Sequence, residues 1–376
     1  MPTRYDLAGR ATVTLEGDDA TVERYLEDQM DPFRPGGGGS APEVVLAREP
    51  AALAPRWTDV QRPAGDGMVT AAGGGAFAIL QDGRHCTVPD PLAEGAISFR
   101  YREGFPISRI FAPVIRAALQ VAMAFEGSVA LHATTVVADG GAIAVAGWSE
   151  SGKTEVALAL MEDGARFVSD KWTVVGRDGV VSPFPVRVGI RRWVLRYLPR
   201  LRASLPASAS AQLAAAGAAS ALAGASARFP DGPLIGRASE VLGRAASLAG
   251  RASLTPTELR TAYGEPEDDL PLAPLRAVAV LTTVPAGQPV EAHPIDATWA
   301  AQRLSRSAAF ERRRFFAVHE RARFALPERR GDLVTACVER ERALLEDVFS
   351  GVSIVGVRAP FPTDPRVVAA AVARCL

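Results

Sequence analysis

Val145-Ala-Gly-Trp-Ser-Glu-Ser-Gly-Lys-Thr154 is the stretch on which the reading of this chain turns. Gly147 to Thr154 follows the spacing G-x-x-x-x-G-K-[ST], in which successive backbone N–H groups wrap around phosphate oxygens at the start of a helix. The flanks supply the context that such a loop needs. Residues 142–146 form a short apolar run that reads as a strand entering the loop, and residues 154–160 read as a helix leaving it. The expected roles follow from the chemistry of each position. Gly147, Trp148, Ser149, Glu150, Ser151 and Gly152 form the cradle, Lys153 reaches the β- and γ-phosphates, and the Thr154 hydroxyl meets Mg²⁺. ATP and Mg²⁺ are therefore the expected cofactors. Lysine usage sharpens the signal: of 42 basic residues only Lys153 and Lys171 are lysines. A background that prefers Arg marks its few lysines as places for a compact ammonium rather than a planar fork.

Working outward, residues 129–137 read as one strand containing His132, followed by an Asp-Gly-Gly turn and the strand that enters the loop. After the loop helix, residues 166–170 form a second apolar strand that ends in Asp170. A carboxylate at that strand tip can ligate a metal ion or accept a proton from an attacking hydroxyl, or it can simply cap a turn. Glu155, at the first turn of the helix, is a further candidate metal ligand.

The totals set limits. At 376 residues the chain is long enough for two or three cores, and 42 acidic against 42 basic residues argue against nucleic acid as a partner. No uninterrupted apolar run of about 18 residues suggests a membrane span. Cys86, Cys337 and Cys375 have neither metal-ligand spacing nor an even count, and no signal core follows the first residues. A reducing, cytoplasmic setting is expected.

Residues 1–104 read as a small, mixed β-rich N-terminal domain, with His85 and Cys86 side by side on a strand edge. Residues 105–376 read as an α/β nucleotide-binding domain that opens on a helix over 106–125, its regular part starting at Pro113. Within it, residues 203–254 shift to Ala, Ser, Gly and Leu and read as inserted helices with Leu234, Val241, Leu242, Ala245 and Leu248 in helical period. That insertion could serve as a lid, a substrate-docking arm, a homo-oligomer contact or plain packing. The Arg-rich helices over 298–324 and 332–349 read as solvated faces with apolar inner stripes.

The block around the loop resembles the C-terminal domain of the HPr kinase/phosphorylase family. The residues carrying the resemblance are Leu131-His132, the loop Gly147–Thr154, Glu155-Val-Ala-Leu-Ala-Leu160, Gly164-Ala165 and Val168-Ser-Asp-Lys171. The resemblance implies a P-loop, PEP-carboxykinase/HPr-kinase-like core and transfer of the ATP γ-phosphate to a hydroxyl, on a peptide or protein serine or on a small molecule. Asp170 would be the base, with His132 near it and Lys153 on the transferred phosphate. Two positions depart from the family. Lys171 stands where the family has a second carboxylate, and could pair with Asp170 or contact a phosphate. Glu150 puts a carboxylate inside the cradle, where it repels nucleotide unless it points outward or meets a cation. The signature with which true HPr kinases meet their carrier protein is missing; Arg187 and Arg191 occupy a comparable place as anion contacts or ordinary strand-edge charges. Two alternatives stand beside the kinase reading: an ATP-binding protein of the same fold without transfer activity, and a scaffold that docks a partner through its insertion.

Overall fold

A computed structural model describes residues 2–36, 39–50, 56–62, 67–91, 95–215, 250–266, 269–328 and 331–375. The architecture is mixed α/β, built on two large sheets. The first sheet lies within residues 3–102 and comprises β1 (Thr3–Asp6), β2 (Thr12–Glu16), β3 (Glu43–Glu49), β4 (Asp59–Gln61), β5 (Val69–Gly73), β6 (Ala76–Gln81), β7 (Arg84–Thr87) and β8 (Ile97–Arg102). Its order is β1-β2-β3-β8-β7-β6-β5-β4. Helix α1 (Ala20–Gln29) provides the crossover that the parallel β2–β3 pair requires, and Asp19 caps it by accepting from the backbone of Thr21 and Val22. His85 and Cys86 do not sit on an edge strand, as their sequence suggested. They belong to β7, which is flanked by β6 and β8; His85 is 2.7 Å from Glu49 and Cys86 is buried.

The helical stretch expected over 106–125 spans Ile107–Phe125, but its regular part does not start at Pro113. It runs as α2 (Ile107–Ile110), a single π-helical turn (Phe111–Ile115) and α3 (Arg116–Phe125). Pro113 has no N–H to give to an α-helical ladder, and the wider turn accommodates it. By length and composition this stretch is apolar enough to cross a membrane, but most of it is buried inside the protein. It joins an apolar cluster in which Val114 and Val121 meet Tyr5 and Phe99 of the first sheet and Val318 from later in the chain. One apolar cluster thus contains residues of both parts that the sequence reading separates as domains.

The second sheet holds β9 (Ser128–Leu131), β10 (Ala133–Ala138), β11 (Gly141–Gly147), β12 (Arg166–Ser169), β13 (Thr173–Gly176), β14 (Val180–Pro183), β17 (Ala273–Val284), β18 (Glu291–Pro294) and β19 (Ser353–Pro360). Its main path is β12-β10-β11-β17-β14-β13-β9, with β19 parallel to β17 and β18 beside β19. The run expected as one strand over 129–137 is broken at His132. Its halves, β9 and β10, lie towards opposite ends of the path although one residue separates them in sequence, so the sheet curls back on itself there. A 2.8 Å bond between the Thr135 and Thr173 hydroxyls spans the curl.

Helices cover both faces, as a parallel sheet centre requires. Side chains of β11 alternate: Ile143 and Val145 face a cluster with Val156 and Leu158 of α4 (Lys153–Glu162), whereas Ala142, Ala144 and Ala146 face the opposite side. Two short helices, α5 (Pro199–Ser204) and α6 (Pro256–Ala262), follow in sequence. Then α7 (Ala297–Glu311) and α9 (Leu333–Phe349) form the second layer, α8 (Arg313–Ala325) packs into the cluster of the first sheet, and α10 (Pro365–Ala373) packs beside α4. The Arg-rich helices are not solvated throughout. Arg312, between α7 and α8, is fully buried and ion-paired with the equally buried Glu341 of α9. Of the expected helical insertion, residues 251–254 are a strand, β16 (Arg251–Leu254), paired antiparallel with β15 (Val188–Arg191). Leu234, Val241, Leu242, Ala245 and Leu248 lie outside the described residues.

Candidate active site

The loop Gly147–Thr154 joins the end of β11 to the N-terminus of α4 and floors a cavity of about 280 Å³. The glycines at its two ends are sterically required. A side chain on Gly147, at φ +144°, would meet the carbonyl oxygen of Leu281 at 2.7 Å; one on Gly152, at φ +92°, would press on the Phe361 ring at 3.0 Å. Gly152 is also the N-cap of α4 and no side chain caps that terminus. Its first N–H groups therefore stand among the orphan donors that every helix start carries. The Ser151 hydroxyl oxygen, buried in the loop, has no hydrogen-bond partner.

Lys153 is buried, and its ammonium donates to the carbonyls of Trp148 at 2.7 Å and Gly147 at 3.3 Å. Burial lowers its pKa from 10.5 to about 8, against the opposing pull of Asp170 and Glu311. Thr154 donates its hydroxyl to Asp170 Oδ1 at 2.8 Å, and Thr134 of β10 donates to the same oxygen at 2.5 Å. Asp170 follows directly on β12, is buried, and lines the cavity. Its second oxygen, Oδ2, accepts neither bond. Thr134 was not anticipated from sequence. The signal that could have found it is the strand alternation that puts residues 132 and 134 on one side.

His132 lines the same cavity at the break between β9 and β10, and its ring lies 5.2 Å from that of Trp172. Its Nδ1 is 2.9 Å from the Ser307 hydroxyl of α7, which donates in turn to the Gly147 carbonyl at 3.2 Å. Because the serine proton is committed to that carbonyl, Nδ1 must be the protonated nitrogen and Nε2 the acceptor. Burial first, then the charges of Lys153, Lys171 and Arg312, push the His132 pKa well below its ordinary value, so the ring is neutral. Ala142, Ala144 and Ala146 of β11 share an apolar cluster with Ala300, Ala301 and Leu304 of α7, the helix that carries Ser307.

The two departures from the family pattern each find a counter-ion. Lys171, in a left-handed backbone conformation at φ +63°, pairs with Glu311 of α7 at 3.3 Å and not with Asp170. Glu150, left-handed at φ +61°, meets two cations: its Oε1 accepts from Arg251 at 2.9 Å and Arg191 at 3.3 Å. Arg191 also contacts Oε1 of Glu155 at 3.2 Å. Burial raises the Glu155 pKa, with its own backbone N–H and Arg191 acting the other way. With Glu155 held by an arginine, the oxygens best placed for a cation are those of Thr154 and Asp170. Among the described residues no cluster of three or more His, Cys, Asp or Glu side chains could hold a metal. A donor pair of one hydroxyl and one carboxylate nevertheless suits Mg²⁺, which keeps several waters and takes further oxygens from substrate phosphates.

Trp148 contributes its carbonyl rather than its ring, which is half exposed and lies against Phe310 of α7 at 4.5 Å, outside the cavity. Ser149 lines the cavity beside it. Arg187 also lines the cavity and pairs with Asp28 of α1 at 2.6 Å. Arg251, Ser307 and Glu311 had no local sequence signal; each reaches the site from a distant element.

What fold and site define together is a mixed α/β protein with a strand–glycine loop–helix unit that opens on a polar, partly cationic cavity. No family model matches the chain, and no curated protein matches it.

Proposed function

We propose that the protein is an ATP-dependent phosphotransferase that moves the γ-phosphate to a hydroxyl of a peptide or protein serine or of a small molecule. One observation carries the reading: the Thr154 and Thr134 hydroxyls both donate to Oδ1 of Asp170, beside the glycine-bounded loop that holds Lys153. The orphan Ser151 hydroxyl and the uncapped start of α4 add donors that polyphosphate oxygens would satisfy. Mg²⁺, held by Thr154 and Asp170 together with phosphate oxygens, would neutralise charge on the transferred group. The Lys153 ammonium leaves its two loop carbonyls for the phosphate. Asp170 Oδ2 takes the proton of the acceptor hydroxyl while that oxygen bonds to phosphorus and the bond to the bridging oxygen of ADP breaks. His132, neutral and fixed through Nδ1, lines the same cavity without adding a positive charge beside the metal ion.

A second reading, nucleotide binding without transfer, is favoured by Lys171, which replaces one acid of the expected pair and is engaged by Glu311. The same experiment separates the two. ATP consumption is followed with a screen of hydroxyl acceptors and mass detection of product. Wild type turns ATP over, and Asp170→Asn binds it but is slowed by about 10²- to 10⁴-fold. If both bind ATP alike and neither consumes it with any acceptor, transfer is wrong and the binding reading stands.

A further inference from the structure

Glu150 is an expensive residue for its position. A left-handed backbone costs a side-chain-bearing residue about 1–2 kcal/mol, and an acid beside a phosphate cradle repels its ligand. What the structure offers in return lies across the cavity, on the β15–β16 ribbon. Arg191 and Arg251 are directly opposed partners in that ribbon's register. Like charges placed opposite one another on neighbouring strands repel, so the pair calls for an anion between them. Glu150 Oε1 is that anion, shared by both guanidinium groups. Beneath it, Arg191 is fixed by Glu155 and lies over the Phe361 ring at 5.1 Å, against the same ring that closes on Gly152. Arg191 is therefore held in place independently of Glu150, and Arg251 is set opposite it by the ribbon's register, whereas the Glu150 side chain is 66% exposed and weakly held.

We infer that Arg191 and Arg251 form an anion subsite for the terminal phosphate oxygens of the nucleotide, and that Glu150 fills this subsite until polyphosphate displaces it. The inference rests on the nucleotide reading of the cavity given above. Binding becomes an exchange of one anion for another between the same two arginines. The phosphate gains two charge-assisted contacts beyond the loop, and the carboxylate swings to solvent. The exchange tunes affinity: it discriminates against ligands that reach the loop with too little charge to displace Glu150, so ATP gains more than ADP.

The test is calorimetric titration of ATP, ADP and inorganic tripolyphosphate, with Mg²⁺, into wild type, Glu150→Gln, Arg191→Gln/Arg251→Gln, and the triple variant. Glu150→Gln removes the internal competitor and tightens ATP and tripolyphosphate by about fivefold, the scale of an exposed ion pair. The arginine variant binds both more weakly, and in it Glu150→Gln has little further effect. An affinity unchanged or weakened by Glu150→Gln in a wild type that does bind ATP overturns the inference and leaves the nucleotide site standing. A tightening that persists undiminished without the arginines overturns it as well. If neither wild type nor any variant binds a polyphosphate, the subsite and the nucleotide reading fall together.

Discussion

Replacing Lys153 with methionine should change stability and ligand affinity in opposite senses, and both changes should follow pH. Methionine keeps the length of the buried side chain and removes its charge. In the native protein burial depresses the Lys153 pKa from 10.5 to about 8. Below pH 8 the ammonium is present in both folded and unfolded chains, and folding bears the whole cost of burying it. Between about pH 8 and 10.5 the unfolded chain retains a proton that the native state has released, so stability rises with pH through this window. The depression is equivalent to about 3 kcal/mol at full effect. Methionine also forgoes the bonds that the amine donates to the Gly147 and Trp148 carbonyls, a loss of about 1–2 kcal/mol that offsets part of the gain. Lys153→Met is therefore expected to be more stable than wild type at pH 7 by roughly 1–2 kcal/mol, and to lose about 3 kcal/mol relative to it by pH 10.5. Urea denaturation of both proteins at a series of pH values measures the difference, and comparing the pair cancels the tyrosines and arginines that titrate in the same range. Polyphosphate affinity of wild type should fall as pH rises through about 8, because only the ammonium holds phosphate; the variant should show no such step. A stability difference that is flat with pH would refute the claim that Lys153 is a buried cation held against its solvation, and with it the view that the loop is built around this residue.

Nitrogen-detected NMR of His132 should show a neutral ring protonated at Nδ1 throughout pH 5.5–8, since burial and three neighbouring cations oppose a second proton; an imidazolium signal at pH 6 contradicts that environment. Thr134→Val removes the 2.5 Å donor to a buried carboxylate and should destabilise by about 1.5–3 kcal/mol in urea denaturation; an effect below 0.5 kcal/mol would mean that Asp170 is solvated. Glu341→Ala leaves Arg312 buried without its carboxylate and should cost about 3–5 kcal/mol, read as a lowered denaturation midpoint. Glu341→Gln, which still offers an oxygen to the guanidinium, should cost less than Glu341→Ala.

The local pieces of the site were legible because local rules make them. Alternating apolar residues entering Gly147, glycines where the backbone must turn or come close, and a helix leaving at Lys153 all depend on neighbours within a few positions. They fixed β11, the loop, α4 and the position of Asp170 at the end of β12. The same rules failed where tertiary contacts override them. His132 looks like the middle of a strand, yet the sheet bends there to close on itself, and Pro113, expected to open the regular part of its helix, is absorbed by a π turn inside it. Arg312 looks like a surface charge, yet Glu341 allows it to be buried.

The sequence by itself determined which groups could carry the chemistry: one loop lysine, one threonine, one strand-end carboxylate and one histidine. Only the tertiary structure decided what state those groups are in. Ser307 selects the tautomer of His132, Glu311 takes Lys171 away from Asp170, and Arg191 and Arg251 answer the charge of Glu150. The physical reason is the same in each case. Burial and charge pairing act through space over a few ångströms, and the partners that supply them lie 41 to 175 residues away along the chain.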